Sequence, residues 1–402
     1  MSLKPHTGIG LLIIIWLVLV CISATVIYVG HDGFTTFDSF VYLHNAQNLA
    51  SFTSNFYTHP FKGNVQFNTV WPLGYPLVIG LIANITTINF FLSSKIVNWL
   101  AWVACLALMY RINPKKSWFL SLFLLNGTYI KLFSYTWSEA LFVTTELYFL
   151  HILYLSYIRA FNWRYFATLS VAMMLLFLFR YIGVFSIFTS VILSVWCLYR
   201  GRYVKMKAYL AVSLTTSAFV VCYFVWNYSI SGYFTGHAGR LTEVPTAAKF
   251  VNIAEALFNE LLIIKDLDRE TYSLDVLFVV GLIFQVAIVA YCIYQWRKSF
   301  TNTTDTTFLK IGILLSGSYL FVMLGIWLFS DLESLYFRYM APFSFPLFLA
   351  ILNWIAQPQN HLFFKKVKYY LIALFLLGLL NVLPGKNWIE RTPKMVEKLL
   401  KG

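Results

Sequence analysis

The sequence predicts an all-α, polytopic membrane protein with about 11 transmembrane helices, and three of its features do so. Its side chains are too apolar to clothe a soluble globule: of 402 residues 59% are hydrophobic and 19% aromatic, against only 11% charged, well below the share that soluble surfaces carry. The apolar residues come in runs long enough to cross a bilayer, which takes about 20 residues per helix. The basic residues, finally, concentrate in alternate connections between those runs.

The runs lie at residues 9–29, 95–110, 118–133, 140–158, 165–180, 182–199, 208–229, 276–295, 309–329, 336–354 and 369–384. The first is too long for a signal-peptide core and lacks a small-residue cleavage site, so it reads as an uncleaved helix. Residues 73–91 are a twelfth candidate, but Asn84, Thr86, Thr87 and Asn89 make its second half polar. That segment is expected to lie on the outer surface or dip into it.

Charge bookkeeping supports this count. Sixteen of the 30 basic residues fall in alternate short connections: Lys4; Arg111, Lys115 and Lys116; Arg159 and Arg164; Arg200, Arg202, Lys205 and Lys207; Arg297, Lys298 and Lys310; Lys365, Lys366 and Lys368. Only Asp305 opposes them there. The positive-inside rule makes these connections cytoplasmic and puts the amino terminus inside; counting 73–91 as a span would turn every later one outward. The tail after Pro384 carries five basic residues and ends outside on this count, which charge alone does not explain. The net charge of +14 therefore marks orientation, and no nucleic-acid partner is expected.

Cys21, Cys105, Cys197, Cys222 and Cys292 all fall in predicted spans and read as buried free thiols. Zinc spacing, a P-loop and a dinucleotide fingerprint are all absent from the sequence. The chain reads as one transmembrane domain, 1–402, with two long outer segments at 30–72 and 230–275. Long connections tend to carry function, so these are expected to roof a site on the outer face. Within the first, Asp38 precedes a helical pattern that sets Tyr42, Ala46, Leu49 and Ala50 on one face. Trp71 and Tyr75 suit the membrane interface. No inverted repeat of the transporter kind is seen.

Several stretches, in order along the chain, resemble the GT-C superfamily of polyprenyl-phosphate-sugar-dependent glycosyltransferases, the group of protein mannosyltransferases and aminoarabinose transferases. Asp38-Ser39-Phe40-Val41-Tyr42 with Ala46 is similar to the family's first-loop aspartate motif. Trp71-Pro72-Leu73-Gly74-Tyr75-Pro76 is similar to its W-P-P-G-Y-P element, with Leu73 in place of a proline. Ser138-Glu139 with Leu141-Phe142 looks like its S-E-x-L-F start of a span. Arg180-Tyr181 with Gly183, Asn227 with Gly232, Thr235 and Gly236, and Arg338-Tyr339 with Pro342 and Pro346 resemble the later signposts. Trp226 stands where many relatives carry Arg, so another cation would have to hold the phosphate here.

The resemblance implies a GT-C fold with amphipathic helices in the first outer loop. It also implies a transferase in the bacterial inner (plasma) membrane, its active site on the periplasmic or extracellular side. The donor would be a polyprenyl-phosphate-linked sugar, such as an undecaprenyl one, and the acceptor a glycan, lipid or protein, with membrane lipids around both. The reaction is an inverting displacement at the anomeric carbon, which needs a base for the acceptor and cations for the departing phosphate. No cofactor or metal is assigned, the family having metal-dependent and metal-independent members.

Asp38 is assigned as the base, the other reading being a helix N-cap; Asp32, in the turn His31-Asp32-Gly33, is the lesser candidate. Glu139 either orients substrate or merely sits at the positive end of a helix that Ser138 would cap. Glu146, about two turns deeper, is costly in apolar surroundings and is expected to face an interior or a cavity. Tyr42, Glu139, Glu146, Tyr181 and Tyr339 are the expected substrate-binding residues. Arg180 and Arg338 are the expected phosphate clamps, or else snorkel to the interface, with Arg240 and Lys131 in reserve. His237 reads as a loop histidine, and Asp266-Leu267-Asp268 as a solvated segment rather than a metal motif. The rival class is a transporter or flippase of a lipid-linked sugar, which shares the hydropathy but needs polar groups along a path through the bilayer.

Overall fold

The computed structural model describes residues 5–30, 33–51, 56–58, 65–236, 246–267, 276–299, 305–329 and 335–382. Among them run α1 (Pro5–Val29), α2 (Phe37–Ala50), α3 (Gly74–Thr86), α4 (Phe90–Ile112), α5 (Ser117–Leu120), α6 (Gly127–Ser134), α7 (Glu139–Ile158) and α8 (Trp163–Phe179). They are followed by α9 (Phe185–Tyr199), α10 (Tyr203–Ser231), α11 (Thr246–Leu261), α12 (Val276–Ser299), α13 (Thr307–Phe329), α14 (Phe337–Ile355) and α15 (His361–Leu377). A three-residue antiparallel ladder, β1 (Phe56–Thr58) with β2 (Val65–Phe67), is the only sheet among the described residues.

Among the described residues seven helices are long and apolar enough to cross a membrane: α1, α4, α7, α9 with the 3₁₀ turn before it, α10, α12 and α13. The membrane class and its all-α character follow from these. Segment 73–91 yields α3, whose 13 residues make a rod of about 20 Å, short of the roughly 30 Å hydrocarbon core. It lies along α2, with Gly80 against the Ala46 carbonyl.

Two expected spans are corrected. Residues 118–133 do not form one helix: α5 passes into a 3₁₀ turn, Ser121–Leu125, the backbone extends at Asn126, and α6 starts afresh. Asn126 Oδ1 accepts from Thr128 N at 3.2 Å, so the break is an Asn cap followed by glycine, a local signal that outweighed the apolar run. The pieces still run parallel to α1, since Gly8 lies beside the Pro114 carbonyl and Ser134 Oγ meets Ser23 Oγ at 2.9 Å. Likewise α15 begins at His361, upstream of the expected 369–384, and takes Lys365, Lys366 and Lys368 into its own first turns. Long Lys stems reach out of a helix end to water, so charge does not stop a helix there.

The cysteines also differ in part from expectation. All five are free, but only Cys105 and Cys197 are buried, while Cys21 and Cys222 are exposed on helix faces that an isolated membrane helix turns toward lipid.

The basic turns collect at one end of the bundle. Asn113 Nδ2 donates to Asn353 Oδ1 at 3.3 Å, Lys116 lies 4.2 Å over the Phe364 ring, and Arg202 lies 4.9 Å over Tyr157 at the end of α7. Glu139 opens α7 at the opposite end, 20 residues or about 30 Å away.

At that opposite end two glycines shape the corner after α8. A Cβ at Gly183 would fall 2.3 Å from the Leu176 carbonyl carbon, and one at Gly74 2.6 Å from the Leu178 oxygen. The start of α3 and the 3₁₀ turn Tyr181–Val184 thus press directly on the last turn of α8, holding Arg180 between them. Gly183→Ala is expected to cost about 1–3 kcal/mol by overpacking against backbone. The check is its melting temperature in detergent, and an unshifted value would show that this corner is loose.

Candidate active site

Four charged side chains from four separate segments meet at the end of the bundle away from the basic turns. Glu139 Oε1 accepts from Arg338 Nε at 2.7 Å and from Arg180 Nη1. Arg338 Nη1 then reaches Asp38 Oδ2 at 2.7 Å. The two acids and two guanidiniums cancel, which is what makes their burial tolerable. Exposure is graded across the set: the Glu139 side chain is 0% exposed, Arg338 8%, Arg180 14% and Asp38 17%. Glu139 is therefore the inner anchor, and Asp38 and Arg180 are the members that water or a ligand reaches.

The helix start that presents Asp38 does not use it as a cap. Thr36 is the extended N-cap residue, and its N–H donates to Ser39 Oγ at 3.0 Å, so Ser39 takes the capping work and Asp38 is left for Arg338. Trp137 Nε1 donates to Thr36 Oγ1 at 2.9 Å, tying the α2 start to the residues before α7. Ser138 likewise does not cap α7 with its side chain. Its Oγ lies 3.1 Å from Tyr42 Oη and 3.4 Å from Glu139 Oε2. Tyr42 is buried, and desolvation, with Glu139 and Asp38 nearby, pushes its phenol up out of the titrating range. It stays a neutral hydrogen-bonding group.

The segment that carries Trp137 to Glu139 is held by one face of α4. Lys95 Nζ donates to Ser134 O at 2.8 Å and to Phe34 O at 3.2 Å. Asn98 Nδ2 donates to Phe133 O at 3.0 Å and Tyr135 O at 2.6 Å, and Asn98 Oδ1 accepts from Tyr75 Oη at 3.2 Å. Lys95 is 1% exposed. These two positioning residues were not foreseen, although a Lys with an Asn three residues later inside an apolar run is a visible anomaly. Trp137 and Tyr135 stack at 3.9 Å. Arg338 lies 4.5 Å over Trp137 and 5.2 Å over Tyr339, and Arg180 lies 5.3 Å over Tyr339. Neither arginine merely snorkels: each guanidinium is gripped by carboxylate and ring, which fixes the plane of its fork.

A second knot supports the first. Tyr181 Oη donates to Thr69 O at 3.0 Å and accepts from Asn227 Nδ2 at 3.1 Å. Asn227 Nδ2 also donates to Phe234 O at 3.0 Å, and Gly236 N to Thr69 O at 3.1 Å. Tyr181, expected to bind substrate, thus spends its hydroxyl on structure. The knot seats Trp71, whose ring lies 6.2 Å from Tyr42. Trp226 packs on Phe67 and Tyr223 at 5.5 Å, so that position supplies aromatic packing where a cation was looked for.

Two further expected residues, Glu146 and Lys131, form no ion pair with the cluster among the described residues. Glu146 is fully buried and both of its oxygens lack a hydrogen-bond partner. Lys131 sits on α6 and makes no ion pair with either acid of the cluster among the described residues. Asp266, expected in a solvated run, is instead clamped by Asn381, whose Nδ2 donates to Asp266 Oδ1 at 2.7 Å and whose Oδ1 accepts from Asp266 N at 3.1 Å. His31, Asp32, His237, Arg240 and Asp268 lie outside the described residues. Among the described residues no group of three or more His, Cys, Asp or Glu could hold a metal ion.

Chemically the cluster offers a carboxylate open to water beside two oriented guanidiniums. The bonds to the two acids use Nη1 and Nε of Arg338 and Nη1 of Arg180. Compared with family models, with curated proteins and with solved structures, the chain matches none of them.

Proposed function

We propose that this protein is a membrane glycosyltransferase of the GT-C type, moving a sugar from a polyprenyl-phosphate donor to an acceptor on the non-cytoplasmic face. The observation that carries the reading is the meeting of Asp38, Glu139, Arg180 and Arg338 from four distant segments in one charge-balanced cluster. The positive-inside rule makes the end with the basic turns cytoplasmic, which turns the cluster outward. A sugar linked through phosphate to a lipid is the donor suited to that side.

Asp38 takes the proton of the acceptor hydroxyl or amine as its oxygen or nitrogen attacks the anomeric carbon. The bond from that carbon to the phosphate oxygen breaks, and polyprenyl phosphate leaves with the electron pair. Arg180 and Arg338 stabilise the charge gathering on it through charge-assisted contacts. Glu139 holds both guanidiniums in place, and the lipid tail enters sideways between helices.

The test is donor-side recognition. Arg180→Ala is expected to weaken binding of polyprenyl monophosphate by about tenfold or more, the worth of a charge-assisted contact. Native mass spectrometry of the full chain in nanodiscs, with polyprenyl alcohol as the control lipid, reads this directly. Equal binding of phosphate and alcohol by the unaltered protein would overturn the reading. A flippase would move the donor without cleaving it, so release of polyprenyl phosphate separates the rival.

A further inference from the structure

Beside the charge cluster, on the far side of an aromatic pair, lies a cavity of about 170 Å³. Its walls include Thr128 of α6, Glu260 of α11, Asp266 just after it, and Tyr336 and Phe337 at the start of α14. Phe337 packs on Trp137 at 5.9 Å, and Trp137 underlies Arg338. The cavity and the cluster thus share one wall.

Glu260 is the anomaly. It is 4% exposed, its Oε1 accepts from Ser344 Oγ, and its Oε2 has no partner. A buried carboxyl oxygen without a donor is costly and calls for an explanation. Asn259 does not supply the donor, because its amide is spent on Leu267: Oδ1 accepts from Leu267 N at 2.9 Å and Nδ2 donates to Leu267 O at 3.3 Å. No Lys or Arg is among the described residues that line the cavity.

We propose that this cavity binds an organic ammonium group, donated to Glu260 and Asp266 and covered by the rings of Tyr336 and Phe337. Two acids, with no Lys or Arg among the described residues of the lining, disfavour an anion. A hard divalent ion wants six or more oxygens; with Glu260 Oε1 and Asp266 Oδ1 already accepting from Ser344 and Asn381, the two remaining carboxyl oxygens and the Thr128 and Tyr336 hydroxyls fall short of that number. An ammonium carries only donors, offsets one negative charge of the pair, and is attracted to aromatic faces. The volume admits one ring or a short aminoalkyl group and no lipid chain. Resting on the transferase reading above, this ammonium anchors the acceptor, holding its nucleophile across the Trp137–Phe337 wall from Asp38.

The test uses small probes on the full chain in nanodiscs. Ethanolamine and glucosamine, an aminolipid headgroup mimic and an amino sugar, are compared by calorimetry with ethylene glycol and glucose. Each ammonium probe is expected to outbind its neutral counterpart by about tenfold or more, and whichever binds more tightly identifies the source of the group. Glu260→Gln, which preserves the Ser344 contact, removes the preference; Phe337→Leu, keeping both acids, weakens it. Asp38→Asn leaves it unchanged. Equal binding of charged and neutral probes, or an unaltered preference in Glu260→Gln, overturns the proposal without touching the transferase reading, which stands or falls on cleavage of the donor.

Discussion

Asp38→Asn is expected to lower the turnover of sugar transfer by about 10²- to 10⁴-fold, the usual contribution of a positioned base, while the protein stays folded. The side-chain oxygen of Asn still accepts from Arg338 Nη1, which Asp38 Oδ2 meets at 2.7 Å, so the shape of the site survives. What is lost is the capacity to take a proton. Because Thr36 and Ser39 form the cap of α2, the change does not fray that helix, and a fall in rate reads as chemistry. Initial rates with a lipid-linked donor, set beside melting curves in detergent, make the measurement; undiminished transfer by the folded variant removes Asp38 from the role.

Glu139→Ala should do the opposite and damage the structure first. Glu139 is the partner of both arginines, and its loss leaves two buried cations facing Asp38 alone. Removing one side of a buried ion pair costs about 3–5 kcal/mol because the remaining charge is stranded. The expected result is a strong loss of thermal stability. Deleting a cation as well relieves the stranding, so Glu139→Ala with Arg180→Ala should cost less than the two changes summed. Additive losses in that cycle would show that the carboxylate and the guanidinium do not act on each other.

Hydropathy and charge made the membrane class legible because both are properties of short windows. The helices α1, α4, α7, α10, α12 and α13 fall where the apolar runs stand, and α3 ends at Thr86, inside the polar second half of 73–91. The run at 118–133 misled because averaging over a window hides a single Asn-Gly step. Asp38, Glu139, Arg180 and Arg338 were recognisable one by one, each beside a resemblance or an oddly placed charge. Lys95 and Asn98 were passed over although their place in an apolar run was visible, because the carbonyls they hold come from other parts of the chain; Glu260 was passed over because its unpartnered oxygen appears only in the packed structure.

The amino-acid order by itself determined that this chain lives in a bilayer, which connections are basic, and which ionisable residues stand at span ends, since all of these follow from local composition. Only the tertiary structure decided that the two acids and two arginines form one cluster, that Tyr181 supports Thr69, and that Glu260 is left with an unanswered oxygen. The physical reason is that ion pairing and burial depend on distance in space, and residues as far apart in the chain as Glu139 and Arg338, separated by 199 positions, acquire that distance only when the helices pack.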